Sequence, residues 1–265
     1  MSDKRPIGVF DSGVGGLTVV GQLTEMLPKE LIIYFGDTAR VPYGTKSKAT
    51  VTKFSVENVE FLMKHDVKMI VVACNTVSAL CLEFLKRCFR VPIIGVIEPG
   101  AKGALTATRN NKVGVIGTCA TISSCAYEKT IKRLNPRISV YSRNCTLFVP
   151  LVEEGWLDSD VTRRVARTYL GPLKKKGIDT LILGCTHYPL LKGVLAKVMG
   201  PDIVLIDSAK EVARCAREVL DANGLLNNSG ARPKHRFFVS DEPERFAKTG
   251  ERFLKKKIAC VKRVS

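Results

Sequence analysis

Histidine, acid and metal-type cysteine spacing are all scarce in this chain. It holds three histidines (His65, His187, His235), and none of its nine cysteines falls in a Cys-x-x-Cys pair. Structural zinc sites draw on such pairs and on clustered histidines, so the sequence argues against a metal site. No stretch approaches the roughly 20 apolar residues that cross a bilayer. The N-terminus, MSDKRPIGVF, passes from charges into a strand-like run with no small-residue cleavage site. Neither signal peptide nor membrane anchor is read, which predicts a cytoplasmic protein. With an odd cysteine count and 265 residues, a disulfide framework is not expected. The cysteines read mostly as small buried hydrophobes, with Cys81 and Cys88 on one face of one helix.

Acidic residues number 25 against 42 Lys and Arg, a net charge of +17. That balance permits nucleic-acid binding, and the tail from Arg232 to Ser265 is its densest part. No helix-turn-helix, zinc-finger or RNP-type pattern accompanies it, so a basic solvated surface is the reading. A nucleotide fingerprint is missing too. In DSGVGG the G-x-G-x-x-G pattern needs glycine at position 18, which is Thr18, and no Gly-Lys-Ser/Thr P-loop exists.

What the chain has is a repeated order. Apolar runs IGVF (7–10), LIIYF (31–35), MIVVA (69–73) and PIIGVI (92–97) alternate with helix-length amphipathic segments such as VSALCLEFLKRCF. VGVIG (113–117), ISVYS (138–142), TLILGCTH (180–187) and DIVLIDS (202–208) repeat them in the same order, at offsets near 106 to 111. Strand–helix alternation predicts parallel sheets covered on both faces. The fold class is therefore α/β, with two pseudo-symmetric, doubly wound, flavodoxin-like halves facing across a cleft. The expected domains are residues 1–98 plus 208–265 and residues 99–207, the C-terminal segment returning to the first. In that segment EVARCAREVLDANG reads as a helix, HRFFVS as a strand, and RFLKKKIACVKRV as a helix and short strand.

Ligands of open parallel sheets bind beyond the carboxyl ends of the strands. Asp11 and Ser12 follow the first strand, and Thr118, Cys119 and Thr121 follow its repeat. Cys74, Asn75 and Thr76 follow the third strand, and Cys185, Thr186 and His187 follow that repeat. Two thiols approaching a ligand from opposite sides suit inversion of a carbon stereocentre, which needs a base on one face and an acid on the other. A thiol serves because its reference pKa of about 8.5 can be moved by its surroundings. Asp11 and His187 are placed to adjust the thiols, and the hydroxyls and amide to hold a small polar substrate. GDTARVPYG (36–44) is a rigid turn with Asp37 and Tyr43 as cleft-lining candidates, and FVPLVEEG offers Glu153 and Glu154, a helix start from which either one is a further candidate. Three alternatives stand beside this reading. Cys185 and His187 would form a nucleophile and its base, although residues two apart rarely meet in that geometry; Cys74, Cys185 and His187 would bind a metal; or both cysteines would be core. His65 and His235 read as surface residues.

The set GVFDSGVGGLTV, GDTARVPYGTKS, VVACNTVSA, GVIEPG, GTCATI, FVPLVEEG and LGCTHYPLL, in this order and extended by IDSA (206–209), resembles the glutamate racemases of the aspartate/glutamate racemase family. The resemblance implies a cofactor-independent isomerase that interconverts L- and D-glutamate and supplies D-glutamate for peptidoglycan. It implies that Cys74 takes the α-proton from the D-enantiomer and Cys185 from the L-enantiomer, assisted by Asp11 and His187. Ser12, Tyr43, Gly44, Asn75, Thr76, Thr121 and Thr186 match substrate-contacting positions, and Asp37, Glu153 and Thr118 are carried as assisting residues. Neither metal nor pyridoxal phosphate is implied. Homodimers are common in the family, and some members bind DNA gyrase, which the basic charge permits without supporting. Racemisation of aspartate or another amino acid is the alternative within the superfamily. A nucleic-acid-binding protein acting through the basic tail is the alternative outside it.

Overall fold

The computed structural model describes residues 2–230 and 233–264. Among the described residues ten strands carry the architecture: β1 (Ile7–Asp11), β2 (Ile32–Gly36), β3 (Met69–Val72), β4 (Ile93–Gly95), β5 (Lys112–Gly117), β6 (Ser139–Asn144), β7 (Thr180–Gly184), β8 (Val204–Asp207), β9 (Arg236–Val239) and β10 (Val261–Arg263). They form two sheets, ordered β10-β9-β2-β1-β3-β4 and β6-β5-β7-β8, with every pairing parallel. In each half the second strand lies outside the first, and the third and fourth follow on the other side. The chain reverses direction between β1 and β3, and again between β5 and β7, so each half has a switch-point crevice at the same place. The α/β class with two flavodoxin-like parallel sheets is the observed fold.

Strands β1, β2, β3 and β7 are buried along their whole length. They read as unbroken apolar runs because helices cover both sheet faces. On one face of the first sheet Phe10, Ile33, Phe35 and Val72 pack with α2 (Lys48–Met63). On the other, Ile7, Val9, Tyr34 and Val71 join a core that continues into the second half through Val113, Val115, Leu181 and Leu183. Three helices surround that junction: α1 (Leu17–Met26), α5 (Ile97–Ala107) and α11 (Ser208–Ala222), with α11 packed on both others. Asp207 caps α11 by accepting from the Ala209 N–H at 3.0 Å, which stops β8 and starts the helix in one residue.

Several local expectations change. The helix expected over 77–89 breaks at Cys81 into α3 (Asn75–Leu80) and α4 (Leu82–Cys88). The Cys81 thiol donates to the Val77 carbonyl at 3.3 Å and the Ser55 hydroxyl at 3.6 Å, and its backbone (φ −141°) leaves the helical region. Cys81 is therefore buried and Cys88 exposed, not on one face. Of the nine cysteines only Cys74, Cys81, Cys145 and Cys185 are buried. The fourth run forms strand only over Ile93–Gly95, because α5 already begins at Ile97. Pro99 sits in the first turn of α5, where a missing N–H costs little. The last helix, α12, covers Pro243–Leu254 and stops before the lysine run, at Lys255 with φ +57°. His65 and His235 are half-buried: His65 stacks on Phe238 at 5.1 Å, and the His235 Nδ1 accepts from the Ile32 N–H at 3.2 Å.

Candidate active site

A cavity of about 360 Å³ opens between the carboxyl ends of the two sheets. Cys74 and Cys185 both line it, one from each half, and each is less than a tenth exposed. Ser12, Asn75, Thr76, Thr118, Thr186 and His187 line it too, with Tyr43, Gly44 and Glu153. Sequence reasoning missed Val41, Pro42, Thr45, Thr146, Val149 and Pro150, which line the cavity as well. Their apolar and hydroxyl character carries no signal by itself.

Three candidate residues stand behind the cavity wall. Thr121 is buried and bonds the hydroxyls of Thr118 (2.9 Å) and Thr76 (3.4 Å), which are themselves 3.0 Å apart. This hydroxyl cluster joins the two halves, since Thr76 belongs to α3 and Thr118 caps α6 (Cys119–Ser123). Asp37 is fully buried and does not reach the cavity. Its carboxylate accepts from the Arg40 Nε at 2.9 and 2.7 Å, the Ser240 hydroxyl at 3.0 Å and the Tyr43 hydroxyl. Arg40 also pairs with Glu57 and lies over the Phe54 ring, so it clamps the turn that presents Tyr43. Asp11 is buried; its Oδ2 accepts from the Gly16 N–H at 3.0 Å and the Gly13 N–H at 3.3 Å, and its Oδ1 has no partner among the described residues.

The glycines of DSGVGG serve packing across the cleft. A Cβ on Gly15 would lie 2.6 Å from His187 Nδ1 and would also strike the Thr186 hydroxyl. Only glycine lets the first half come this close to the imidazole. Gly44 does the same on the other wall, where a Cβ would lie 2.7 Å from Thr118 Cβ.

The two thiols have different surroundings. Cys74 is the N-cap residue of α3, and its Sγ is 3.7 Å from the Ser12 hydroxyl. Burial, and next the Asp11 charge, push its thiol up to about 12, against hydrogen bonds from Val77 and Ser12. Cys185 directly follows β7, and its Sγ is 3.9 Å from His187 Nδ1. The tight turn after β7, where the Tyr188 N–H bonds the Cys185 carbonyl at 3.2 Å, brings together residues only two apart, contrary to the sequence expectation. His187 Nε2 meets Glu153 Oε1 at 2.9 Å, and the Phe253 ring packs edge-on against the imidazole. Burial opposes a charge on His187, yet the hydrogen bonds to Cys185 and Glu153 outweigh it and raise the imidazole to about 10. The same hydrogen bond to His187 holds the Glu153 carboxyl below its ordinary value. Burial raises the Asp11 carboxyl.

One side of the cavity thus carries a protonated thiol at neutral pH and the other a thiol beside an imidazolium. In titrations followed by the ring resonances, His187 is expected to stay protonated as pH rises to about 10. His65 and His235, depressed chiefly by burial, should lose their protons below the ordinary histidine value. A His187 midpoint at or below that value would remove the imidazolium from beside Cys185. Among the described residues no group of three or more His, Cys, Asp or Glu is placed to hold a metal ion, so Cys74, Cys185 and His187 do not assemble as a ligand set.

The model of the Asp/Glu/hydantoin racemase family matches residues 7–216. A glutamate racemase of Geobacter metallireducens is 54% identical over 261 residues, covering 98% of this chain and 97% of its own. A glutamate racemase isoform of Bacillus anthracis superposes with a TM-score of 0.95 at 43% identity, covering 98% of this chain and 97% of that one. The enzyme of Francisella tularensis, solved in complex with D-glutamate, gives 0.92 at 45% identity, covering 99% and 98%.

Proposed function

We propose that this chain, which belongs to the Asp/Glu/hydantoin racemase family and is an amino-acid racemase, interconverts L- and D-glutamate by two-base proton transfer between Cys74 and Cys185. One observation carries the reading: equivalent strand ends of two like-ordered halves each put a cysteine on the wall of one cavity. For the L-enantiomer Cys185 acts as the base, its thiolate favoured by the His187 imidazolium, and Cys74 as the acid. In the reverse direction the roles exchange. His187 is then the helper of Cys185 rather than the base of a nucleophilic pair, a reading that would leave Cys74 without a role. Asp11 and Glu153 act through the charges they set on the Cys74 and His187 sides. Ser12, Asn75, Thr76, Thr186 and the Tyr43–Gly44 turn receive the substrate, with Thr118 and Thr121 supporting Thr76. Asp37 acts behind them by holding Tyr43. Residues 1–98 with 208–265, and 99–207, form the two domains of a homodimeric cytoplasmic enzyme whose product enters peptidoglycan.

The test is the purified protein in deuterium oxide with each enantiomer of glutamate and of aspartate. Racemisation of glutamate with deuterium at Cα is expected from either hand. Exchange of aspartate with glutamate left untouched would replace this reading by the aspartate alternative.

A further inference from the structure

One buried side chain touches both cysteine motifs and appears in none of the roles above. Tyr127 lies on α7 (Ala126–Leu134) in the second half and is 2% exposed. Its hydroxyl donates to the Asn75 Oδ1 at 2.8 Å, across the junction between the halves, onto the residue that follows Cys74. Its ring packs behind the other thiol: a Cβ on Gly184, the residue before Cys185, would lie 3.0 Å from the Tyr127 Cε2. Gly100 leaves room on the far side, where a Cβ would be 3.3 Å from the Tyr127 hydroxyl. Ser208, at the start of α11, lines the same gap, its Cβ also 3.3 Å from where a Cβ on Gly100 would be.

The bond to Oδ1 leaves the Asn75 amide with one orientation. Its Nδ2 is buried and has no partner among the described residues, and Asn75 as a residue lines the cavity. Buried donors are rarely left unpaired in native proteins, because the lost hydrogen bond is costly. A donor in this position matches an acceptor, such as a substrate carboxylate oxygen, and repels the substrate ammonium. An amide turned the other way would present a carbonyl and reverse that preference.

We propose that Tyr127 is a positioning residue: its hydroxyl locks the Asn75 amide so that Nδ2 faces the substrate as a carboxylate donor. The inference rests on the glutamate reading of the site. Because the Asn75 contact holds substrate and transition state alike, its loss weakens binding and leaves the chemical step in place. Tyr127→Phe should raise KM for both glutamate enantiomers about tenfold, the scale of a lost hydrogen bond to a charged group, with kcat held within about twofold. In an Asn75→Ala background the same change should add nothing further to KM.

In the wild-type protein, the Asn75 side-chain amide resonances should shift when D-glutamate saturates the site, a measurement that needs no variant to fold. Unmoved resonances overturn the proposal. So does an unchanged KM in Tyr127→Phe, or an equal rise in the Asn75→Ala background, which would make Tyr127 a packing residue. The wild-type rate from the same assay separates the two levels. An active wild type with an unmoved Tyr127→Phe KM overturns only the role of Tyr127, and an inactive one overturns both.

Discussion

Serine at position 74 or at position 185 is expected to lower racemisation in both directions by roughly 10³-fold, within the range that positioned acid–base groups contribute. Inversion needs a proton removed from one face and another delivered to the opposite face. The group that is base in one direction is acid in the other, so neither direction survives the loss of one thiol. A hydroxyl yields its proton far less readily than a thiol and does not replace it. The two variants should nevertheless differ in deuterium oxide. With Cys74→Ser, Cys185 and its His187 neighbour remain, so the L-enantiomer should exchange its α-proton slowly without inverting, and the D-enantiomer should not. Cys185→Ser should show the opposite preference. Polarimetry for inversion and proton NMR for exchange measure the two outcomes separately. Either variant racemising at the wild-type rate would end the two-base assignment.

Lys68→Met is expected to destabilise the fold by about 3–5 kcal/mol, the usual consequence of breaking a buried ion pair from one side. Lys68 Nζ meets Glu30 Oε2 at 2.7 Å with both side chains almost completely buried. It also donates to the carbonyls of Asp3 (2.7 Å) and Leu225 (2.6 Å), while Glu30 Oε1 accepts from the Asn227 N–H at 2.8 Å. The pair therefore ties the chain start and the segment after α11 to the amino end of the first sheet. Methionine would leave the Glu30 carboxylate without its counter-charge and two carbonyls without their donor. Glu30→Gln in the same protein should recover part of the loss by removing the stranded charge. Urea midpoints at constant slope measure both changes. This end of the sheet is remote from the cavity, so kcat of the folded fraction should not move. A midpoint indistinguishable from wild type would mean that water takes over the role of the ammonium.

The strand ends were legible because their signal is redundant. Four apolar runs, each stopping at polar residues, recur in the same order, and parallel burial makes such runs continuous. The duplication then gave Cys185 its counterpart 111 residues earlier. Interactions set by side chains meeting in space were not legible. Glu153 and His187 are 34 residues apart and obey no spacing rule, so the residues alone offered Glu153 and Glu154 equally and only the family resemblance chose Glu153. Asp37 was recognisable as a residue after a strand, but its direction depends on Arg40 turning back three residues later. The break at Cys81 was hidden because apolar periodicity runs straight through it, and a thiol bonding to Val77 and Ser55 leaves no mark on the pattern. Tyr127 lies in no motif, and its bond to Asn75 spans 52 residues with no spacing rule to announce it.

The two thiols are unequally supported, Cys185 by the His187–Glu153 pair and Cys74 by Ser12 and the Asp11 charge. Mirror-image substrates have equal free energies in water, so their interconversion has an equilibrium constant of one whatever catalyses it. The Haldane relation then forces kcat/KM to be the same for both hands. An asymmetric site therefore cannot enrich either enantiomer. Its asymmetry can be expressed only in how each direction divides that common value between turnover and saturation, and a substitution on either side must change both specificity constants by one factor.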